Sequence, residues 1–157
     1  MRFGITGHQA LPPTVVDHAI DHWRRFLPAG AALHGVSSLA EGADQLFAAH
    51  VLAAGGELEV VLPCEDFAGS LVTDDGRARF ERLRQAAGTV LTLPHPRPSD
   101  QAFLAAGQAL VERCDHLFAI WDGRPARGMG GTADIVHYAR ARGRPTTVLW
   151  VAGVLRP

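Results

Sequence analysis

Short apolar runs alternate along the chain with longer segments in which apolar residues recur at helical spacing. The apolar runs predict six strands, at Arg2–Thr6, Ala32–Ser37, Leu58–Leu62, Val90–Leu93, His116–Trp121 and Thr146–Val151. The longer segments predict five helices, at Pro13–Phe26, Glu41–Ala54, Asp75–Ala87, Gln101–Cys114 and Thr132–Arg142. Strands that alternate with helices are typical of a parallel sheet covered by helices. The pattern therefore predicts one α/β domain of Rossmann-like type over residues 1–157.

The connections between these elements predict how the strands are ordered. Right-handed crossovers and a single reversal give a doubly wound, mostly parallel sheet with the order 4-3-2-1-5-6. In such sheets the ligand crevice opens at the carboxyl ends of the strands beside the reversal, here strands one and five. The loops after strands one, two and five are therefore the predicted site.

The loop after the first strand offers Gly7 and His8 as ligand contacts. A glycine at a strand end lets backbone amides approach a phosphate, and the imidazole adds a hydrogen-bonding group. The same two residues also fit a tight strand-to-helix turn with an exposed histidine. For this loop alone both interpretations stand.

The loop after the second strand is rich in small and polar residues. Ser37, Ser38, Gly42 and Asp44 are predicted ligand contacts, because small side chains let a loop pass close to a ligand and hydroxyls can bond to it. Glu41 and Asp44 are also candidate catalytic carboxylates. Structural alternatives remain, with Asp44 complementing the dipole of the following helix and Ser38 acting as a cap.

The loop after the fifth strand carries three glycines in four positions, Gly128, Gly130 and Gly131, followed directly by Thr132. Such glycines let consecutive N–H groups face an anion at a helix N-terminus, and the threonine hydroxyl adds a donor. We therefore predict that these four residues form a phosphate cradle.

Two aspartates flank this cradle in the sequence. Asp122 ends the fifth strand and is a predicted acceptor for ribose hydroxyls. Asp134 lies in the first turn of the next helix, as a second ribose acceptor or a catalytic helper.

Composition narrows the chemistry and the partners. All 15 basic side chains are arginines, which excludes a P-loop lysine, a Schiff-base lysine and a lysine base. Against 16 acidic residues they leave a formal net charge of −1, from which we expect no nucleic-acid partner and no attraction to a membrane. Cys64 and Cys114 indicate reduced thiols, and no apolar run is long enough to cross a bilayer, so a cytoplasmic location is expected.

No metal site or cofactor is predicted. His18 and His22 are spaced i, i+4, but the sequence indicates no third ligand to accompany them. The expected partner is a nucleotide-like small molecule, and an assembly of identical chains is left open.

Taken together, the loops resemble those of the SLOG superfamily, which includes the LOG phosphoribohydrolases and the DNA-processing protein A family. Segment 37–44, SSLAEGAD, is similar to the Ser-Gly-Leu-Ala-x-Gly-Ile-Asp loop of the DNA-processing proteins. Segment 128–132, GMGGT, is similar to the Pro-Gly-Gly-x-Gly-Thr loop of the LOG enzymes. The resemblance implies a nucleotide-binding scaffold.

The chain departs from the LOG pattern at its catalytic glutamate. That pattern continues Gly-Thr-x-x-Glu, but Ile135 stands three positions after Thr132. Asp134 is one position early, which rotates it by about 100° on a helix, and the Arg-Lys pair of the LOG enzymes has no match. Activity of the LOG type is therefore not expected.

Three functions are compatible with these features. The first is binding or sensing of a nucleotide or nucleotide-derived phosphate ligand. The alternative is an N-glycosidic hydrolase or transferase acting on a nucleoside phosphate, with Glu41 or Asp44 as nucleophile or base and Asp134 as helper. The third, a pure interaction module, predicts no affinity for small molecules.

Overall fold

The structure, a computed structural model, describes all 157 residues. Its strands are β1 (Arg2–Gly7), β2 (His34–Ser37), β3 (Glu57–Cys64), β4 (Thr89–His95), β5 (His116–Ile120) and β6 (Thr146–Leu149). Its helices are α1 (Pro13–Phe26), α2 (Ala43–Ala53), α3 (Asp74–Ala86), α4 (Asp100–Arg113) and α5 (Thr132–Ala141). Two short 3-10 turns cover Gly30–Ala32 and Phe67–Ser70.

The six strands form one sheet in the order β4-β3-β2-β1-β5-β6, and all neighbours are parallel. This confirms the predicted fold class and strand order. β1 pairs with β5 from Phe3 opposite His116 to Gly7 opposite Ile120. The direction of winding reverses between these two strands, so their carboxyl ends flank the crevice.

Apolar side chains cover both faces of the sheet. Successive residues of a strand point to opposite faces, and in β3 Val60 and Leu62 join one buried cluster while Val61 joins another. The first cluster includes Trp23 of α1 and Phe47 of α2, which are fully buried. The second is formed mainly with residues of α4 and α5. Three layers, helix on sheet on helix, result.

Most element boundaries differ from the sequence prediction by one or two residues, and two of these differences have local reasons. α2 begins at Ala43 rather than Glu41, because Gly42 has a φ of 83°, which a helix does not accommodate. β2 begins at His34 rather than Ala32, because the residues before it form a 3-10 turn. No helix has both the length and the hydropathy that a membrane span requires.

Candidate functional site

A cavity of about 520 Å³ lies at the carboxyl ends of the central strands. Loops after β1, β2 and β5 form much of its wall, together with the segment after β3, helix α4 and the end of the chain. The predicted site residues that line it are Gly7, His8, Ser38, Glu41, Asp44, Gly128, Gly130, Gly131 and Thr132. Four others lie outside the lining: Ser37, Gly42, Asp122 and Asp134.

The glycine-rich loop leads directly into α5, whose first N–H groups are free of backbone partners. Within the loop, Gly130 N–H donates to Asp134 Oδ2 at 2.9 Å and Gly131 N–H donates to the Gly128 carbonyl at 3.2 Å. The N–H groups of Thr132, Ala133 and Asp134 make no backbone hydrogen bond, and no side chain caps the helix. Unsatisfied donors and the helix dipole both favour an anion here. The free N–H donors therefore begin at Thr132, because the N–H groups of Gly130 and Gly131 are already used within the loop.

Close packing explains why two positions of this loop, Gly130 and Gly131, are glycines. Gly130 has a φ of 80°, and a Cβ there would lie 2.7 Å from the backbone nitrogen of Leu104 in α4. A Cβ on Gly131 would lie 2.8 Å from that of Ala126. A side chain at position 131 therefore displaces the loop, in addition to narrowing the cavity.

His8 is 3% exposed and connects the loop after β5 with the start of α5. Asp122 N–H donates to its Nε2 at 3.1 Å, and Asp122 Oδ1 lies 3.2 Å from the same nitrogen. On the other side of the ring, Nδ1 is 3.5 Å from Thr132 Oγ1. Burial and the nearby Arg156 guanidinium lower the pKa of His8. The exposed histidine of a simple turn is not what the structure shows.

The loop after β2 uses several of its polar groups internally. The buried Ser37 hydroxyl donates to the Asp44 carbonyl at 2.9 Å and accepts from Leu39 N–H at 3.1 Å. A Cβ on Gly42 would lie 2.2 Å from the Gln9 carbonyl oxygen, so the glycine allows the loops after β1 and β2 to touch. Both residues shape the site from outside the cavity.

Gly7 is required by packing at the end of β1. A Cβ there would lie 2.4 Å from that of Ala43 at the start of α2 and 2.9 Å from the Ile120 carbonyl oxygen. The residue still borders the cavity. Its lack of a side chain is thus explained without a ligand.

The carboxylates of Glu41 and Asp44 differ in their surroundings. Glu41 accepts hydrogen bonds from Val72 N–H, Thr73 N–H and the Thr73 hydroxyl at 2.6–3.0 Å. Burial alone would raise its pKa, but these bonds lower it overall. Asp44 is 8% exposed and accepts one bond, from Ala40 N–H at 3.3 Å, and burial raises its pKa to about 7. Glu41 is therefore hydrogen-bonded to the segment after β3, whereas Asp44 is a carboxyl at the cavity wall whose ionisation is disfavoured by burial.

Three arginines also line the cavity, and the sequence did not single them out as site residues. Arg124 and Arg127 lie in the loop after β5, where their position before the glycines was a usable signal. Arg156 lies in the segment after β6, and no sequence pattern indicates that this segment reaches the cavity. Burial and then the positive charge of Arg127 lower the pKa of Arg156, while the negative charge of Asp122 acts in the opposite direction. No group of three or more His, Cys, Asp or Glu residues is placed to share a metal ion.

No protein-family model and no curated protein matches the chain. Solved structures do match it. DNA processing protein A of Helicobacter pylori, described by its single-stranded DNA binding mode, matches at 17% identity with a TM-score of 0.72, over 98% of this chain and 67% of that one. DNA processing protein A of Streptococcus pneumoniae matches at 17% identity with a TM-score of 0.70, over 98% of this chain and 51% of that one, so the chain spans about half of its length. The structural-genomics target TM1055 matches at 17% identity with a TM-score of 0.59, over 92% of this chain and 71% of that one.

These matches show that the chain has the fold of DNA processing protein A, one of the families that its loops resemble. They also overturn the exclusion of nucleic-acid partners. A protein with this fold binds single-stranded DNA, so a net charge of −1 does not exclude such a partner. The physical reason is that net charge sums the whole surface, whereas three of the 15 arginines line this one cavity.

Proposed function

We propose that this chain binds the phosphate of a nucleotide or nucleotide-derived ligand at the N-terminus of α5. The observation that carries the proposal is the pair of unpartnered N–H groups on Thr132 and Ala133, both of which belong to residues lining the cavity. Arg127 and Arg156 line the same cavity and supply positive charge. Backbone donors at a helix N-terminus together with guanidinium groups suit a phosphate.

The rest of the cavity suits the remainder of a nucleotide. Its volume of about 520 Å³ falls within the range of about 300–1,000 Å³ common for small-molecule sites. Phe67, Leu71 and Phe103 give it an apolar side, against which a base can pack. Ser38 and Asp44 add polar groups near the end of β2. The ligand thus spans from the cradle to the loop after β2.

A second candidate ligand is single-stranded nucleic acid, favoured by the DNA-binding neighbour of the same fold. Arg124 and Arg127 are exposed beside the cradle, where they can contact the phosphates on either side of a bound nucleotide. In this version the cradle holds one phosphate of a strand. The two candidates share the same central contact and differ in how far binding extends beyond it.

Calorimetric titrations with AMP, ADP-ribose, a dinucleotide and a short single-stranded oligonucleotide test the proposal. We expect at least one to bind, and a ligand at 100 times its dissociation constant to raise the free energy of unfolding by about 2.7 kcal/mol. Thr132→Val should weaken that binding about tenfold, the effect of one lost hydrogen bond. Thr89→Val, an exposed threonine at the start of β4, is the matched control.

The pattern of ligands separates the candidates. Tight binding of the mononucleotide with no gain from the longer strand supports the small ligand, and binding of the oligonucleotide alone supports the strand. If no compound binds, or if Thr132→Val binds as the native protein does, the cradle does not have this function.

A further inference from the structure

A backbone hydrogen bond to His8 favours one of the two neutral tautomers of its ring. In the neutral ring one nitrogen carries a proton and the other accepts a hydrogen bond. Asp122 N–H donates to Nε2 at 3.1 Å, which favours Nε2 as the acceptor of the neutral ring. In this tautomer the proton is on Nδ1, which lies 3.5 Å from Thr132 Oγ1.

This tautomer sets the direction of the Thr132 hydroxyl. Its oxygen accepts from Nδ1–H of His8, so its own hydrogen is free to point to an acceptor in the cavity. The subsite then presents a donor and suits an oxygen with free lone pairs, such as that of a phosphate or sulfate. His8 acts as a positioning residue for this contact.

The surroundings of His8 also hold a place for a second proton. Asp122 Oδ1 lies 3.2 Å from Nε2, so a proton on Nε2 forms an ion pair with it in place of the bond from Asp122 N–H, while Nδ1–H still points to Thr132. Burial would raise the pKa of Asp122, but hydrogen bonds from Arg124 N–H and His8 lower it overall. The carboxylate is thus a ready counter-ion.

Two other charged groups act on His8 and oppose its protonation. Arg156 belongs to the segment after β6 and Arg127 to the loop after β5. Burial is the largest cause that lowers the pKa of His8, and the positive charges of both arginines lower it further. The indole of Trp150, which meets the imidazole edge-on at 5.5 Å between ring centres, carries no charge. An anion at Thr132 offsets both arginines and adds its own attraction for the proton.

We propose that binding of an anionic oxygen at Thr132 is coupled to uptake of one proton by His8, with Asp122 as its counter-ion. The inference rests on the proposed phosphate site and adds a regulation to it: the site binds dianionic oxygen ligands more tightly in mild acid. Because coupling is reciprocal, the ligand raises the proton affinity of His8 as much as the proton raises the affinity for the ligand.

Inorganic sulfate is the probe, because a phosphate monoester itself titrates near pH 6 and would mask the effect. Calorimetric titration of the native protein in two buffers of different ionisation enthalpy measures the protons taken up. We expect uptake of up to one proton per sulfate, and an affinity that falls by as much as about tenfold per pH unit as the pH rises from about 5 to about 8.

His8→Asn separates the two roles of the imidazole. The asparagine amide can occupy the place of Nδ1 and donate to Thr132, but it cannot take up a proton. The variant should bind sulfate with no proton uptake and a flat pH profile. His18→Asn, at an exposed position of α1, should retain the behaviour of the native protein.

Parallel AMP titrations distinguish the two possible failures. If AMP and sulfate both bind to the native protein but heats are equal in the two buffers and affinity does not change with pH, the coupling to His8 is wrong and the phosphate site stands. If neither binds at any pH, the phosphate site itself is wrong. The native protein alone decides both questions, even if His8→Asn does not fold.

Discussion

Asp134 Oδ2 accepts a 2.9 Å hydrogen bond from the N–H of Gly130, four residues earlier in the chain. The bond closes the glycine-rich loop against the first turn of α5. It also uses one carboxylate oxygen that the sequence predicted for ribose or for catalysis. The residue therefore supports the cradle by holding its backbone, while Thr132 and Ala133 keep their N–H groups free.

Asp134→Ala tests this support. Loss of the bond should lower the free energy of unfolding by about 1 kcal/mol and should weaken nucleotide binding, because the loop is no longer fixed. Urea unfolding and calorimetry measure the two effects. Asp75→Ala, in the first turn of α3, is the matched control. An unchanged affinity in the Asp134 variant would contradict a role for the closed loop.

Gly131→Val tests the packing of the cradle. The new side chain meets Ala126 and displaces the loop, so we expect nucleotide binding to be lost while the domain remains folded. Gly88→Val is the matched control, since Gly88 is exposed and outside the cavity, and a Cβ there has no neighbour closer than 3.9 Å. Circular dichroism checks the fold and calorimetry the affinity. Equal affinities in a folded Gly131→Val and the native protein would refute the predicted cradle.

Asp44→Asn tests the buried carboxyl. Its pKa of about 7 in the folded chain lies above the unfolded value near 3.8, so ionisation is easier in the unfolded state. The Asp44 contribution to stability therefore falls as the pH rises from about 4 to about 7. The asparagine variant should exceed the native protein in free energy of unfolding above that range, by about 1.4 kcal/mol for each unit of pKa shift.

Denaturant unfolding at several pH values measures this difference. It should vanish only well below the unfolded pKa of 3.8, because both states of the native protein then hold the proton. Asp21→Asn, at an exposed position of α1, should show no comparable gain. A variant no more stable than the native protein in neutral or alkaline solution would show that the Asp44 carboxylate is well solvated.

Incubation with AMP tests the alternative, N-glycosidic hydrolysis. We expect little or no release of adenine, because Glu41 is engaged by Val72 and Thr73 and Ile135 occupies the position of the LOG glutamate. Chromatography of the products measures turnover. Release that scales with protein concentration and is lost in Asp44→Asn would establish hydrolysis and identify Asp44 as its carboxyl.

The hydrophobic periodicity of the sequence was sufficient to predict the fold, because strands and helices alternate regularly in parallel α/β proteins. The order of strands and the edge that carries the cavity followed from chirality rules. Boundaries shifted where one backbone angle decided them, as at Gly42.

The site was less predictable from the sequence. The strand order and the motifs predicted that the three loops lie together, but they did not show which polar groups bond to each other. Ser37 and Gly42 belong to the motif yet lie outside the cavity lining, because their contacts are with neighbouring backbone. Arg156 reaches the cavity only through the path of the segment after β6, and no local pattern indicates that path.

The phosphate site is tested most directly by observing the backbone amides of Thr132 and Ala133 while AMP is added. Two-dimensional ¹⁵N–¹H spectra of the labelled protein report each N–H separately. We expect these two resonances to shift most and to saturate at the calorimetric affinity, because their N–H groups bind the phosphate. Binding of AMP that leaves both resonances in place and shifts amides elsewhere would contradict it.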